Sequence, residues 1–181
     1  LIREGKNAIM LGIENGYAIG KDLSRVAHFR KRGVVYMTLC HNGNNDICGS
    51  ARYNEENLGV TPFGEQVIQE MNRLGMMVDL SHSGERTFYE TLDISSQPVV
   101  CSHTSSRALC DHPRNLTDDQ LRAIARKGGV VQVCLYSGFL RKERPAHILD
   151  AIEHLNHMVN VIGIEHVGIG SDFDGDGGII G

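Results

Sequence analysis

The 181 residues are 41% hydrophobic and 22% charged, a mixture able to bury one core, which excludes fibrous and disordered classes and suits a single domain spanning 1–181. A net charge of −4 excludes an electrostatic nucleic-acid binder, because phosphate recognition gathers Lys and Arg on one face, and the short run Arg30-Lys31-Arg32 falls at a helix end that favours cations. Five cysteines without CxxC spacing argue against a disulfide framework, and no apolar run approaches the roughly 20 residues of a membrane span.

Six short apolar runs read as strands: Ala8 to Ile13, Val34 to Leu39, Met76 to Leu80, Val99 to Cys101, Val130 to Leu135 and His166 to Gly170. They are nearly continuous in apolar residues, as strands covered on both faces are. Between them lie helical stretches with clear punctuation. Lys21 to Arg32 stops at Gly33. Thr61-Pro62 sets an N-cap and first-turn proline for a helix to Leu74, which ends at Gly75. Gly84 to Leu92 follows, then Thr117 with Gln120 as a capping box for a helix to Lys127, then Ala146 to Ile162. The polar stretch 42–59 has neither period and reads as a functional loop. Cys101 and Cys134, inside apolar runs, read as small buried hydrophobes.

Strand and helix alternate without a Gly-rich phosphate loop, so the expected architecture is a (β/α)8 barrel with about six of its eight units in this chain. Leu1 is not Met and the first strand begins almost at once, which reads as a chain truncated at both ends, and the open strand edges of such a partial barrel would favour a homo-oligomer. Barrel active sites sit where strands end. Here the strands run out into Glu14, His41, His82, His103 and Asp172 in turn. A carboxylate with imidazoles on one rim is a ligand set for zinc, and a further carboxylate can take a proton from a water that the ion activates. Each residue also has a plainer reading. Glu14 could complement a helix start, His82 could be an isolated polar histidine, and Asp172, Asp174 and Asp176 among glycines could form a turn.

Several longer motifs narrow the choice. Gly12-Ile13-Glu14-Asn15-Gly16, Tyr36-Met37-Thr38-Leu39-Cys40-His41, Asn72-Arg73-Leu74-Gly75 leading into Val78-Asp79-Leu80-Ser81-His82, Ser102-His103-Thr104-Ser105-Ser106 with Arg114-Asn115-Leu116, and Gly170-Ser171-Asp172-Phe173-Asp174-Gly175 together resemble the renal-type membrane dipeptidases, zinc enzymes of the amidohydrolase-like barrel group. The resemblance implies two zinc ions per complete site, with Glu14 bridging them and His82 and His103 completing one. It implies that His41 faces the scissile carbonyl, that Arg114 holds the carboxylate of a small dipeptide, and that Asp172 carries a proton from water to the leaving amine. It further implies tolerance of a D-residue at the C-terminal position. Two departures stand out: the family's His-x-Asp pair for the other zinc has no counterpart in these residues, and Phe139 stands where relatives offer a substrate-facing tyrosine. Two other readings remain open: an amidohydrolase acting on a lactone or cyclic amide, or a metal-binding or partner-binding domain without catalysis.

Overall fold

A computed structural model describes residue 5 and residues 7–175. Six parallel strands form one sheet in chain order: β1 (Leu11–Ile13), β2 (Val34–Thr38), β3 (Met77–Asp79), β4 (Val100–Thr104), β5 (Val130–Val133) and β6 (Val167–Ile169). The helices are α1 (Ser24–Lys31), α2 (Pro62–Arg73), α3 (Glu85–Ile94), α4 (Asp118–Arg126), α5 (Ser137–Leu140) and α6 (Ile148–Ile162). Among the described residues each strand pairs only with its neighbours in sequence, as a barrel wall requires, and β1 and β6 form two edges that do not meet. The sheet is thus an incomplete barrel.

The helices form where the sequence punctuates them. Thr61 caps α2 by accepting from Gly64 N, with Pro62 in the first turn, and Thr117 and Gln120 close a capping box on α4. Each helix turns an apolar stripe inward: Val67, Ile68 and Met71 on α2, Leu121 and Ile124 on α4, Ala151 and Met158 on α6. These stripes pack with strand residues Val78, Cys101, Val131 and Val133 in one buried cluster. Burying each aliphatic side chain there contributes about 1.5–3 kcal/mol. All five cysteines are buried free thiols. No helix of the described residues is long and apolar enough to cross a membrane.

Some boundaries move. Residues 8–10 are not strand, because β1 is an edge whose only partner starts its register at Leu11 opposite Val34. Strand β4 runs on past Cys101 through three polar residues, since Thr104 still pairs with Val133. Its His103 therefore sits inside the strand. Residues Ile164–His166 form a short 3-10 turn ahead of β6, and α5 and a 3-10 turn at Gly16–Ile19 lie in stretches that the sequence assigned to no element. Asp176 lies outside the described residues.

At the start of α6, Asp150 is only 4% exposed at its side chain and accepts from Arg141 Nε at 2.8 Å, Arg144 Nη1 at 2.8 Å and the His147 backbone N–H at 2.8 Å. These partners, Arg144 foremost, hold its carboxyl well below the usual range. Asp150→Asn is expected to cost about 1–2 kcal/mol in urea unfolding at pH 7, the sum of a helix cap and partly exposed ion pairs. A folded pKa below the unfolded one means this stability is complete above about pH 4 and fades on acidification. The gap between wild type and variant should therefore narrow towards pH 3, and a pH-independent gap would contradict the ion-pair account.

Candidate metal centre

Glu14 follows β1 directly and is held open to the rim by the turn after it. Asn15, at φ 77°, accepts from Tyr17 N and from the Asn45 side chain. Glycine at position 12 leaves room for the Tyr36 ring, because a Cβ there would lie 2.1 Å from it. His82 comes three residues after β3 in a tight turn that puts it at φ 70°, a conformation costly for a non-glycine residue. The turn is secured by the long loop 42–59, whose Ala51 N–H donates to the His82 carbonyl at 2.7 Å. That loop is itself ordered by asparagines: Asn45 accepts from Ile47 N and Cys48 N, Asn54 from Leu58 N, and Asn44 from Ser50 N.

Three ligand atoms converge. Glu14 Oε1 lies 3.1 Å from His82 Nε2 and 3.2 Å from His103 Nε2, and the two imidazole nitrogens are 2.9 Å apart. Among the described residues this is a group of metal-ligating type whose atoms fall close enough to share an ion. Tetrahedral ligation at about 2.0–2.1 Å separates donor atoms by roughly 3.3 Å, so the spacing fits. The chemistry fits as well. His82 Nδ1 faces Asn42 Oδ1 at 3.3 Å and His103 Nδ1 faces Ser102 Oγ at 2.9 Å, so both rings use their outer nitrogens on protein partners and present Nε2 inward. Burial pushes His82 down to about 3, leaving a neutral ring with a lone pair to give. The two imidazoles that face it, His103 foremost and then His82, hold the Glu14 carboxyl well below the usual range, so it is ionised. Three electron pairs aimed at one point repel unless a shared positive charge lies between them.

His41 joins the edge of this group. Its Nε2 is 3.9 Å from Glu14 Oε1, and its ring lies over His82 at a centroid distance of 4.2 Å. Its backbone carbonyl accepts from Ser50 at 2.6 Å. Beside it opens a cavity of about 460 Å³ lined by Glu14, His41, His82, Arg114, Phe139 and Asp172 among others. All but one of the seven residues singled out from the sequence therefore share this cavity wall, and the seventh, His103, reaches Glu14 from the adjoining cavity of about 380 Å³.

Arg114 is 3% exposed; among the described residues its Nε has no partner, and its guanidinium carbon lies 5.2 Å above the Phe139 ring. Asp172 stands three residues beyond β6 at φ 64° and lines both cavities, with the Cys134 thiol 3.7 Å away. That neighbouring carboxylate and burial, burial above all, push the thiol up to about 12, which keeps it protonated.

Four wall residues were not foreseen. Tyr136, Asn42, Arg52 and His112 also line the larger cavity, and Asp174, read as a turn residue, lines both cavities from within a turn. Tyr136 packs edge-on against Phe139 at 4.7 Å, so a tyrosine does stand on this wall beside Phe139. Burial and then the nearby Arg114 charge push His112 down to about 4. Its Nδ1 lies 3.1 Å from Arg114 N, an acceptor for that amide.

The family model described as membrane dipeptidase, peptidase family M19, matches residues 1–181. The chain belongs to the membrane dipeptidase family. An uncharacterised dipeptidase of Schizosaccharomyces pombe is 44% identical over 176 residues, covering 94% of this chain and 42% of that protein. Dipeptidase 3 of Mus musculus is 37% identical over 177 residues, covering 95% of this chain and 36% of its own length. The chain thus spans less than half the length of these curated relatives. Among solved structures, a probable dipeptidase of Pseudomonas aeruginosa superposes with a TM-score of 0.93 at 27% identity, over 99% of this chain and 60% of that one. A metallo peptidase of Rhodobacter sphaeroides, liganded with a phosphinate mimic of the dipeptide L-Ala-D-Ala, superposes with a TM-score of 0.81 at 32% identity, over 92% of this chain and 50% of that one.

Proposed function

We propose that the protein containing this partial barrel domain is a zinc-dependent dipeptidase. The observation that carries the reading is the meeting of Glu14 Oε1 with the Nε2 atoms of His82 and His103 on the wall of a cavity that also presents the buried Arg114. Neutral imidazole and carboxylate donors suit zinc. Glu14, His82 and His103 would hold one ion, and Glu14 would also serve a second. When bound, zinc supplies Lewis acidity and lowers the pKa of a coordinated water.

The remaining work falls to the chain's own side chains. Arg114 would clamp the C-terminal carboxylate of the dipeptide with its planar fork, in a site where its Nε has no other partner among the described residues. His41 would hydrogen-bond the scissile carbonyl oxygen. Asp172 would accept a proton as water adds to the carbonyl carbon, then return it to the amine as the C–N bond breaks. The Rhodobacter relative's dipeptide mimic ends in a D-residue, which supports a D-residue at the C-terminal position here.

Arg114→Met tests the substrate class. In the zinc-loaded full-length protein, kcat/KM for Ala-D-Ala should fall on the order of 10²- to 10³-fold, mostly through KM, since a fully desolvated charge pair is lost. Turnover of a neutral lactone or cyclic amide should not change. A wild type that prefers the neutral substrate, with an indifferent Arg114→Met, would favour the amidohydrolase alternative.

A further inference from the structure

We propose that the buried Asp79 is a positioning residue: acting through the Ser102 hydroxyl, it decides which ring nitrogen of His103 carries the proton and hence which one is open to a metal. The inference rests on the reading of His103 as a ligand.

Asp79 ends β3 and is 0% exposed. Its Oδ1 accepts from the backbone N–H groups of Ser81 at 3.0 Å and Ser102 at 2.9 Å. Its Oδ2 accepts from the hydroxyls of Thr38 at 2.6 Å and Ser102 at 2.5 Å. Every neighbour is a donor, the arrangement an acceptor-only carboxylate needs. The separation of 2.5 Å between the Ser102 and Asp79 oxygens is that of a charge-assisted O–H···O⁻ bond, so the single Ser102 proton lies there. Ser102 Oγ is then left with lone pairs only. The His103 ring nitrogen Nδ1, 2.9 Å from it, must be the donor. A neutral imidazole has one N–H, so His103 Nε2 carries the lone pair, and this is the atom that faces Glu14 and His82.

Packing does not account for this carboxylate. Burying an anion between β2 and β4 costs several kcal/mol before its hydrogen bonds offset it, and a neutral amide oxygen in the place of Oδ1 would satisfy the Ser81 and Ser102 backbone N–H groups without that cost. What the carboxylate adds is direction. It is the terminal acceptor of a chain that runs from the His103 ring through Ser102, and the direction of that chain reverses if the acceptor becomes a donor.

The reversal supplies the test, made on the full-length protein by zinc affinity in chelator competition, the visible spectrum of the cobalt(II) form, and thermal unfolding of the metal-free form. Ser102→Ala removes the link and should weaken zinc binding about 10-fold, while Ser102→Thr, which keeps the hydroxyl, should restore both affinity and spectrum. Asp79→Asn places an amide N–H₂ against Ser102, so the hydroxyl turns to donate to His103 Nδ1 and drives the ring proton onto Nε2. That variant should lose about 100-fold, more than Ser102→Ala although it lies further from the ion. In the double variant the reversed relay has no carrier, and affinity should return to the level of Ser102→Ala alone. A role confined to packing would make the two losses accumulate, which would overturn the proposal, as would wild-type affinity in Ser102→Ala. If Asp79→Asn does not fold, the Ser102→Ala and Ser102→Thr pair decides. A wild type that takes up no zinc would refute the ligand reading itself.

Discussion

Full-length Glu14→Gln is expected to purify folded and almost free of zinc, with affinity reduced by at least about 10²-fold, beyond the effect typical of residues behind a ligand. Glutamine keeps the length and the oxygen but surrenders the charge that two inward-facing imidazoles require. The fold should barely respond, because the Glu14 side chain is 43% exposed and contacts the two rings, not the apolar cluster. Metal analysis and the unfolding midpoint of the chelated protein check the two halves separately. Wild-type zinc content in a folded Glu14→Gln protein would end the assignment of this triad.

Asp172→Asn should act on the rate alone. Asparagine tolerates the left-handed backbone at φ 64° about as well as aspartate, so the turn after β6 should survive. Asp172 is not in the ligand group, and zinc content should hold. Losing a positioned proton carrier lowers kcat by about 10²- to 10⁴-fold, with KM little changed. A kcat within tenfold of wild type would move the role to Asp174, the other carboxylate that lines both cavities, and Asp174→Asn would then carry the deficit.

Much of this was legible in the residues because barrels obey two simple periodicities. The strand order follows chain order, and the capped helices at Thr61 and Thr117 lie where their punctuation puts them. Reading the polar residue after each apolar run located Glu14, His41, His82 and Asp172. His103 was found by the same rule for a partly mistaken reason, since it belongs to a strand that stays paired through polar residues. What escaped depends on three-dimensional approach. Arg52 and His112 reach the cavity from loops whose paths follow from asparagine and histidine side chains bonding nearby backbone, a pattern without period. Tyr136 was hidden by its neighbour Phe139, because a short helix at Ser137–Leu140 brings both rings to one wall. Asp79 gave no signal beyond its place in a motif, and its meaning appears only when β2, β3 and β4 lie side by side.

The neighbour-to-neighbour order of the strands bears on assembly. Each strand lies beside the one that precedes it in the chain, so every pairing is complete in chain order before the next strand begins. The three candidate ligands come from the first, third and fourth strand segments, all within the first 103 residues of the chain. The ligand group is therefore complete without β5 and β6, and an ion held there would tie the first four strands together across their C-terminal ends.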